Sequence, residues 1–457
     1  MRHDAVTALR AAQVMARLSV FMIAAFAAGA AHASDASVAN CHVGAYRLAD
    51  GSVVDVGPSD DAHLRWRRED GTTGLLTSHA DGTWTSTLGW TDRPDGIKVT
   101  FSDCAKGRID FNGGRGDRIA FDVTDTRFRG AGVTLAGRLV LPEGKARVPI
   151  VVLVHGSEHF SALDFYALQR LFPAAGIGVF VYDKRGTGAS GGTYTQSYLL
   201  LANDAIAAVD EAKRLAGPRA GRIGYQGGSQ GGWVAPLAAK ISPVDFVIVG
   251  FGLAVSPLDE DREAIAYDMQ RQGYGPDIMA KAMQIADASA TILLSNFRSG
   301  YDKLDALNRK YGKEPWFKHV HGDVTWILLA WPPEKLKQEG PVLFANVPVQ
   351  YDPMPVLRNL DTPQLWILGR EDADAPSAET IKRLRGLQRA GRPITLAVFP
   401  DTEHGIYEFE TKPDGTRVDT RNPEGYFAMM RDFILSGRLH GNYGRAVRHG
   451  ATADPGR

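Results

Sequence analysis

One serine in this sequence stands among glycines directly after an apolar run. The stretch GYQGGSQGGWVAP begins at Gly224, and Ser229 lies at its centre. The residues before it predict a buried strand over 222–227, and the residues after it predict a helix. Gly227 and Gly231, two positions either side of the serine, leave room for a sharp turn that side chains would block. This strand–turn–helix arrangement predicts a nucleophilic hydroxyl at the carboxyl end of a sheet.

A serine hydroxyl is a weak nucleophile and needs a general base that a carboxylate orients. Asp372 follows the apolar run PQLWILG, and Glu371 and Asp374 beside it stay as alternatives for the acid. His404 follows a second apolar run, ITLAVFP, and is the candidate base. The chain order serine, acid, histidine is the order expected for a nucleophile elbow of this kind. We therefore predict a triad of Ser229, Asp372 and His404.

A tetrahedral intermediate also needs two backbone N–H groups to hold its oxyanion. The residue after the nucleophile, Gln230, supplies one of them. The other is expected from the loop HGSEH after an earlier strand, where Ser157 is the candidate donor. His155 in the same loop is expected to shape the backbone rather than to transfer protons.

The elements that would position these groups are strands that alternate with helices. The apolar, β-branched runs that predict buried strands lie at 148–156, 177–183, 222–227, 244–250, 363–369 and 394–400. A long helix is predicted over 199–216 between two of them. Strands that alternate with helices predict an α/β fold with a mostly parallel sheet covered on both faces.

Changes in composition and in hydrophobic pattern along the chain predict several segments. Residues 41–117 carry short alternating runs with Gly, Asp and Asn turns, which predict a small β-rich accessory domain that packs on the main domain or recognises a partner. The main α/β domain is expected over 118–437. Within it, 256–352 is rich in Met, Tyr and Trp at helical spacing and predicts a helical cap over the sheet, although these side chains could equally form its own core. The segment 438–457 predicts a flexible tail.

The N-terminal segment has the features of an export signal. Arginines precede an apolar stretch at 18–30, and Ala-His-Ala then ends at residue 33. A signal peptide over 1–33 predicts a periplasmic or secreted protein with no stable membrane insertion after cleavage, and an uncleaved anchor is the alternative. In an oxidising compartment Cys41 and Cys104 are expected to form a disulfide, unless they are two separate buried thiols.

Charge and cysteine content exclude some function classes. Lys+Arg and Asp+Glu both number 52, and no basic block is present, so the sequence gives no sign of nucleic-acid binding. Two cysteines in separate segments make a poor metal site. Nothing in the sequence sets the oligomeric state.

Five stretches together resemble the α/β-hydrolase superfamily, across about 118–437. They are LVHGS (153–157), YDKRGTGAS (182–190), GGSQGG (227–232), LGREDADAP (368–376) and DTEHG (401–405). The second is similar to a loop of the acyl-esterase and serine-aminopeptidase-like branches, in which Asp183 and Arg185 would hold the loop together. Glu158 and His159 depart from the small residues more usual in the oxyanion loop.

The resemblance implies a serine hydrolase that needs no metal or organic cofactor. Cleavage of small carboxylic esters or thioesters is the leading expectation, and exopeptidase action on short peptides is the second. An exopeptidase must hold a free α-amine, and the acidic run PLDEDRE (257–263) in the insertion could supply a carboxylate, although we expect this run to be a solvated face. A non-catalytic binding protein on a hydrolase scaffold is the alternative of another class.

Overall fold

The computed structural model of the protein describes residues 41–60 and 62–449. The predicted signal peptide lies outside the described residues. Within them, no helix is both long enough and apolar enough to span a bilayer.

The N-terminal part of the described chain forms a closed antiparallel barrel. Its strands are β1 Gly44–Leu48, β2 Val53–Pro58, β3 Leu64–Arg68, β4 Thr73–Ser78, β5 Thr83–Leu88, β6 Pro94–Phe101, β7 Arg108–Phe111 and β8 Gly114–Arg118. Each strand pairs with its neighbour in sequence, and β8 closes on β1. Buried side chains, among them Tyr46, Trp66 and Phe111, fill the interior. A disulfide joins Cys41 to Cys104, as the sequence predicts.

A large mixed sheet follows, with six parallel strands at its centre. Its first eight strands are β9 Phe121–Arg129, β10 Thr134–Pro142, β11 Val148–Val154, β12 Gly178–Tyr182, β13 Ala220–Gly228, β14 Phe246–Gly250, β15 Gln364–Gly369 and β16 Ile394–Phe399. They lie in the order β16-β15-β14-β13-β11-β12-β10-β9. From β12 to β16 all neighbours are parallel, whereas β9 and β10 pair antiparallel at one side. The predicted α/β class is confirmed.

Helices cover both faces of this sheet. They are α1 Ala162–Phe165, α2 Leu168–Ala174, α3 Tyr198–Ala216, α4 Gly231–Ile241, α5 Pro257–Arg271, α6 Pro276–Leu294, α7 Tyr301–Tyr311, α8 Thr325–Ala330, α9 Pro333–Leu343, α10 Met354–Arg358, α11 Ala378–Arg389 and α12 Tyr426–Ser436, with 3₁₀ turns at Gly217–Arg219 and Phe317–His319. Successive side chains of β11 enter opposite cores because strand side chains alternate. Val152 packs with α3 and α4, and Val151 packs with α1, α2 and α12.

The insertion between β14 and β15 is helical, and it contains α5 to α10. Its aromatic and methionine side chains, such as Met269 and Trp316, form a hydrophobic core of their own. The acidic run at its start is not simply a solvated face, which corrects the sequence interpretation. Asp261 is buried and accepts hydrogen bonds from the backbone N–H of Val324 and Thr325 and from the Thr325 hydroxyl, so it ties α5 to the start of α8.

A small sheet follows β16. It consists of β17 Thr402–Glu403, β18 Tyr407–Thr411 and β19 Arg417–Arg421, in that order and antiparallel. The sequence analysis did not predict it. The two-residue strand β17 ends directly before His404, so this hairpin belongs to the frame of the candidate base.

The segment after 438 is only partly the flexible tail that the sequence predicts. Within the described residues, β20 Val447–His449 pairs antiparallel with β16 and becomes the ninth strand of the large sheet. The Gln388 side chain also donates a hydrogen bond to the His449 carbonyl, at 2.5 Å. An exposed sheet edge offers unpaired backbone groups, and this short strand covers them on β16.

Candidate active site

Ser229 occupies a strained turn between β13 and α4. Its φ is 51°, in the left-handed region that side chains other than glycine rarely adopt. The glycines around it are required by space: a Cβ at Gly227 would lie 2.5 Å from the Gly231 carbonyl oxygen, and a Cβ at Gly231 would lie 2.8 Å from that of Val154. Such a conformation costs about 1–3 kcal/mol and persists only where the surrounding structure imposes it. The turn leaves Ser229 half-buried at the carboxyl end of the sheet.

The structure brings Asp372 and His404 into contact. His404 Nδ1 lies 3.0 Å from Asp372 Oδ2 and 3.2 Å from Oδ1. Asp372 is 1% exposed, and its Oδ1 also accepts the backbone N–H groups of Asp374, at 3.1 Å, and Ala375, at 2.8 Å. Glu371 instead pairs with Arg417, at 3.0 Å. Of the three carboxylates that the sequence left open, Asp372 is the one hydrogen-bonded to the histidine.

The electrostatic surroundings make His404 a strong base. Burial opposes a charge on the ring, but the Asp372 carboxylate outweighs burial and raises the pKa of His404 to about 9, with further contributions from Asp374 and Asp323. The hydrogen bond at Nδ1 leaves Nε2 as the nitrogen available for proton transfer. The arrangement therefore suits an imidazole that accepts a proton and holds it as imidazolium.

Phe251 packs against His404 and close to Gly228, the residue before Ser229. Its ring packs edge-on against the His404 ring with centroids 4.9 Å apart, and a Cβ at Gly228 would come within 2.4 Å of the same ring. Among the described residues, the Ser229 hydroxyl makes no hydrogen bond of ordinary length to His404. Catalytic hydrogen bonds often reach full strength only with substrate bound. Phe251 therefore contacts both His404 and the end of β13 that leads into the elbow.

The two candidate oxyanion donors belong to segments that lie against each other. The loop 155–159 packs on the elbow, since a Cβ at Gly231 would also meet the His155 carbonyl oxygen at 3.0 Å. Within the described chain, the backbone N–H groups of Ser157 and Gln230 donate to no protein acceptor. Both amides therefore stay available to an oxygen placed above Ser229.

Glu158, which departs from the small residues more usual in this loop, is held by contacts with its own loop and with Tyr166. Its carboxylate lies 3.2 Å from His155 Nδ1, accepts the Gly156 N–H at 3.2 Å and accepts the Tyr166 hydroxyl. Burial would raise the pKa of Glu158, but the neighbouring His155, followed by the charge of Lys184, lowers it to about 2. Glu158 therefore fastens its own loop as a carboxylate.

The sequence analysis expects Asp183 and Arg185 to hold the loop 182–190 together. Asp183 accepts hydrogen bonds from the Ser161 hydroxyl and from the Ala189 N–H, both at 2.8 Å. Arg185 forms a buried two-point ion pair with Asp204, with both N–O distances 2.7 Å. Both residues hold segments together, in agreement with the sequence interpretation. Lys184 between them is a buried side chain that the sequence analysis did not single out, since a charged residue in a loop gives no signal of burial.

The cap contributes further carboxylates to this region. Burial, together with the charges of Asp372, Asp261 and Asp374, raises the pKa of Glu260 well above its ordinary value. Desolvation of the Asp323 carboxyl, followed by the charge of Glu260, also raises the pKa of Asp323 well above its ordinary value. The charge of Asp372 thus acts on Glu260, and the charge of Asp323 acts on His404.

Comparisons with known proteins give a matching family and similar solved structures. An esterase of Pyrococcus furiosus is 16% identical, with a TM-score of 0.38, over 62% of this chain and 84% of that one. An acylaminoacyl peptidase of Pyrococcus horikoshii is 17% identical, with a TM-score of 0.40, over 79% of this chain and 52% of that one. The model of the alpha/beta hydrolase family matches residues 151–417, more than half of the sequence and the span that holds Ser229, Asp372 and His404. The chain belongs to the alpha/beta hydrolase family.

Proposed function

We propose that this hydrolase is a serine hydrolase that cleaves carboxylic esters or thioesters through an acyl-enzyme. The observation that carries the proposal is the Asp372–His404 hydrogen bond, with an Nδ1–Oδ2 distance of 3.0 Å, at the sheet edge where the strained elbow presents Ser229. A nucleophile, a base and an orienting acid at one edge are the groups that acyl transfer requires.

The cycle proceeds in two halves. Ser229 Oγ attacks the substrate carbonyl while His404 Nε2 takes its proton, and Asp372 stabilises the imidazolium that results. The N–H groups of Ser157 and Gln230 hold the tetrahedral oxyanion. His404 then protonates the leaving alcohol or thiol, and a water molecule that His404 deprotonates hydrolyses the acyl-enzyme. This cycle uses side chains and backbone amides of the chain alone.

Exopeptidase action on short peptides is the second candidate, and the cap carboxylates favour it. Burial, followed by the negative charges of neighbouring carboxylates, raises the pKa of Glu260 and of Asp323. The ammonium group of a peptide N-terminus would relieve this repulsion, because an opposite charge stabilises each ionised carboxylate. The same triad would then cleave an amide bond instead of an ester.

The first test compares kcat/KM for short-chain p-nitrophenyl esters and for aminoacyl p-nitroanilides. Ser229→Ala should lower turnover of any true substrate by about 10³-fold or more, since the hydroxyl is the nucleophile. Esters cleaved and anilides ignored supports the esterase. Efficient anilide cleavage, weakened by Glu260→Gln but not by the exposed cap control Glu334→Gln, supports the peptidase.

A binding protein on the same scaffold gives a different result. Covalent labelling by a fluorophosphonate requires an activated serine, so a binding protein would remain unlabelled. We expect one label on the wild type and none on Ser229→Ala. A wild type that neither turns over substrate nor takes the label contradicts the proposed function.

A periplasmic or extracellular location is also part of the proposal. It rests on the signal-like N-terminal sequence and is compatible with the Cys41–Cys104 disulfide. Expression of the full chain with a C-terminal tag should yield a product in the periplasm or medium that begins near residue 34. Retention of the intact chain in the cytoplasm would exclude export.

A further inference from the structure

Lys184 is a buried cation beside the candidate oxyanion hole. It follows β12 and is 2% exposed. Its ammonium donates a hydrogen bond to the Gly156 carbonyl oxygen at 2.7 Å and lies 4.4 Å from the centre of the Tyr194 ring. It also approaches Gln230 Oε1, at 3.5 Å. Burying an ammonium is costly unless specific partners compensate it, so these contacts call for an explanation.

The hydrogen bond from Lys184 to the Gly156 carbonyl oxygen acts on a single peptide group. The Gly156 carbonyl and the Ser157 N–H belong to the same peptide bond, and the described chain contains no cis peptide bonds. In a trans peptide the C=O and the N–H point in opposite directions. A cation that holds the Gly156 oxygen on one side therefore fixes the Ser157 N–H on the opposite side of the peptide.

The same contact strengthens the donor. A hydrogen bond to a carbonyl polarises the amide, and linked hydrogen bonds in a low-dielectric site reinforce one another. When negative charge develops on the substrate oxygen, the donor chain runs from the Lys184 ammonium through one peptide to that oxygen. No bond of Lys184 forms or breaks in this step, and the lysine keeps its proton.

We propose that Lys184 is a positioning residue of the oxyanion hole, which orients and polarises the Gly156–Ser157 peptide and lies against the Gln230 side chain of the second donor. This inference rests on the proposed function, because it assigns Lys184 a task only if an oxyanion forms above Ser229.

Other groups already fasten the loop, so its fold does not depend on the charge of Lys184 alone. The Tyr194 hydroxyl donates to the Ser157 carbonyl oxygen at 2.6 Å, and Glu158 accepts the Gly156 N–H at 3.2 Å. A purely structural lysine would add little to these contacts. A lysine that acts on the transition state would affect kcat while the loop stays in place.

Lys184 keeps its positive charge at neutral pH. Burial lowers the pKa of Lys184 to about 8, and the charge of Glu158 opposes that decrease. The titratable groups that face it from the surrounding segments are His155, Glu158, His159, Tyr166 and Tyr194. The cationic form therefore dominates below about pH 8 and is lost above it.

The test measures kcat and KM for the best substrate, and the Ki of an alkylboronic acid, which forms a tetrahedral anion on an active serine. Lys184→Met keeps the volume and removes the charge. We expect it to lower kcat by about 10- to 100-fold, less than the loss of a direct oxyanion donor, with KM within about twofold. The boronic acid should lose affinity in parallel. Lys240→Met is the matched control, because Lys240 donates to the Asn359 carbonyl oxygen at 2.7 Å on the exposed end of α4.

Each outcome decides the inference. A folded Lys184→Met with wild-type kcat and wild-type boronic-acid affinity overturns it, whereas inactive wild type without a fluorophosphonate label overturns the proposed function instead. If Lys184→Met does not fold, Lys184→Gln decides, because its amide can still donate to the Gly156 carbonyl oxygen but carries no charge. A folded Lys184→Gln with lower kcat and weaker boronic-acid binding supports the inference, and wild-type values for both contradict it.

Discussion

The charge on His404 depends on three carboxylates from two separate parts of the chain. Asp372 makes the direct hydrogen bond, Asp374 lies two residues further along the same loop, and Asp323 comes from the cap. Each stabilises the imidazolium, so each raises the pKa. The histidine accepts a proton readily, but in the free enzyme it is fully neutral only above about pH 9.

This dependence predicts the acid limb of the pH profile. Because a general base must start neutral, kcat/KM should rise with pH and level off near the His404 pKa of about 9. Above its own raised pKa, Asp323 carries a negative charge that stabilises the imidazolium. Asp323→Asn removes that charge, so the pKa of His404 falls and the limb moves to lower pH, by about 0.5–1 unit. The measurement is kcat/KM between pH 5 and 10.

The control is Asp302→Asn, which changes an exposed carboxylate on the same cap and should leave the profile in place. An unchanged limb in Asp323→Asn would show that Asp323 does not act on the base. A limb that moves to higher pH would contradict the sign of the argument.

The residue types that carry chemistry were predictable from their place after buried strands, but their exact identities were less so. A sequence pattern cannot distinguish Glu371, Asp372 and Asp374, because all three follow β15 within a few residues. Only the backbone path, which turns Asp372 toward the interior and Glu371 toward Arg417, separates them. The burial of Lys184 could not be predicted, because it depends on Gly156, 28 residues away.

The hairpin of β18 and β19 connects the segments that carry the acid and the base. Arg417 on β19 donates to the Glu371 carbonyl oxygen at 2.8 Å, pairs with the Glu371 carboxylate at 3.0 Å and pairs with Glu403. Glu371 and Glu403 directly precede Asp372 and His404. One guanidinium therefore fixes the chain neighbours of both members of the pair. The Tyr267 hydroxyl, from the cap helix α5, donates to the Glu371 carbonyl oxygen at 3.0 Å.

Arg417→Met should loosen the acid–base pair without removing it. We expect kcat to fall about tenfold with little change in KM, because a small misplacement of catalytic groups affects the transition state more than binding. The thermal midpoint should fall as well, since Glu403 is left half-buried without its partner. Steady-state kinetics and thermal unfolding of the same preparation measure both effects.

Arg93→Met provides the comparison, because Arg93 binds the same hairpin through Glu410 with side chains 59% and 40% exposed. Exposed ion pairs contribute about 0–1 kcal/mol, so this variant should stay close to wild type. Equal effects of the two substitutions would mean that Arg417 stabilises the hairpin generally and not the catalytic pair.

The sequence does contain a signal for this hairpin. Residues 407–411 and 417–421 flank KPDGT, and Asp-Gly between two such runs favours a tight turn. The long-range contacts of Arg417 are a different matter, because their spacings of 46 and 14 residues follow no local period. The hairpin was thus predictable as an element, and its role in the site was not.

At the scale of the whole molecule, the barrel is built into the support of the site. The Trp90 N–H donates to the Asp419 carbonyl oxygen at 2.9 Å, and the Asn422 N–H donates to the Gly71 carbonyl oxygen at 3.1 Å. Gly71 has no room for a side chain, since a Cβ would lie 2.1 Å from the Asn422 oxygen. The barrel therefore packs directly on the hairpin that carries Arg417.

The sequence predicted the structural class of each domain better than the strand pairings that complete its sheet. Buried parallel strands read as continuous apolar runs, so β11 to β16 were all predictable from the chain. The pairing of β1 with β8 and of β20 with β16 was not, since each joins short runs from distant parts of the sequence. A strand of three residues such as β20 carries too little pattern to be recognised without its partner.

The ion pair between the barrel and the main domain leads to a prediction for the whole protein. Asp55 on β2 is fully buried and pairs with Arg170 on α2, with N–O distances of 2.5 and 3.2 Å. Asp55→Ala leaves Arg170 without its counter-charge, so we expect about 3–5 kcal/mol less stability in urea unfolding. Asp125→Ala, which breaks the more exposed pair with Arg138, should cost less than about 1 kcal/mol.

If the barrel supports the hairpin, Asp55→Ala should also lower kcat at temperatures where it is still folded. Full kcat in a destabilised Asp55→Ala would mean that the barrel stabilises the protein without positioning the site.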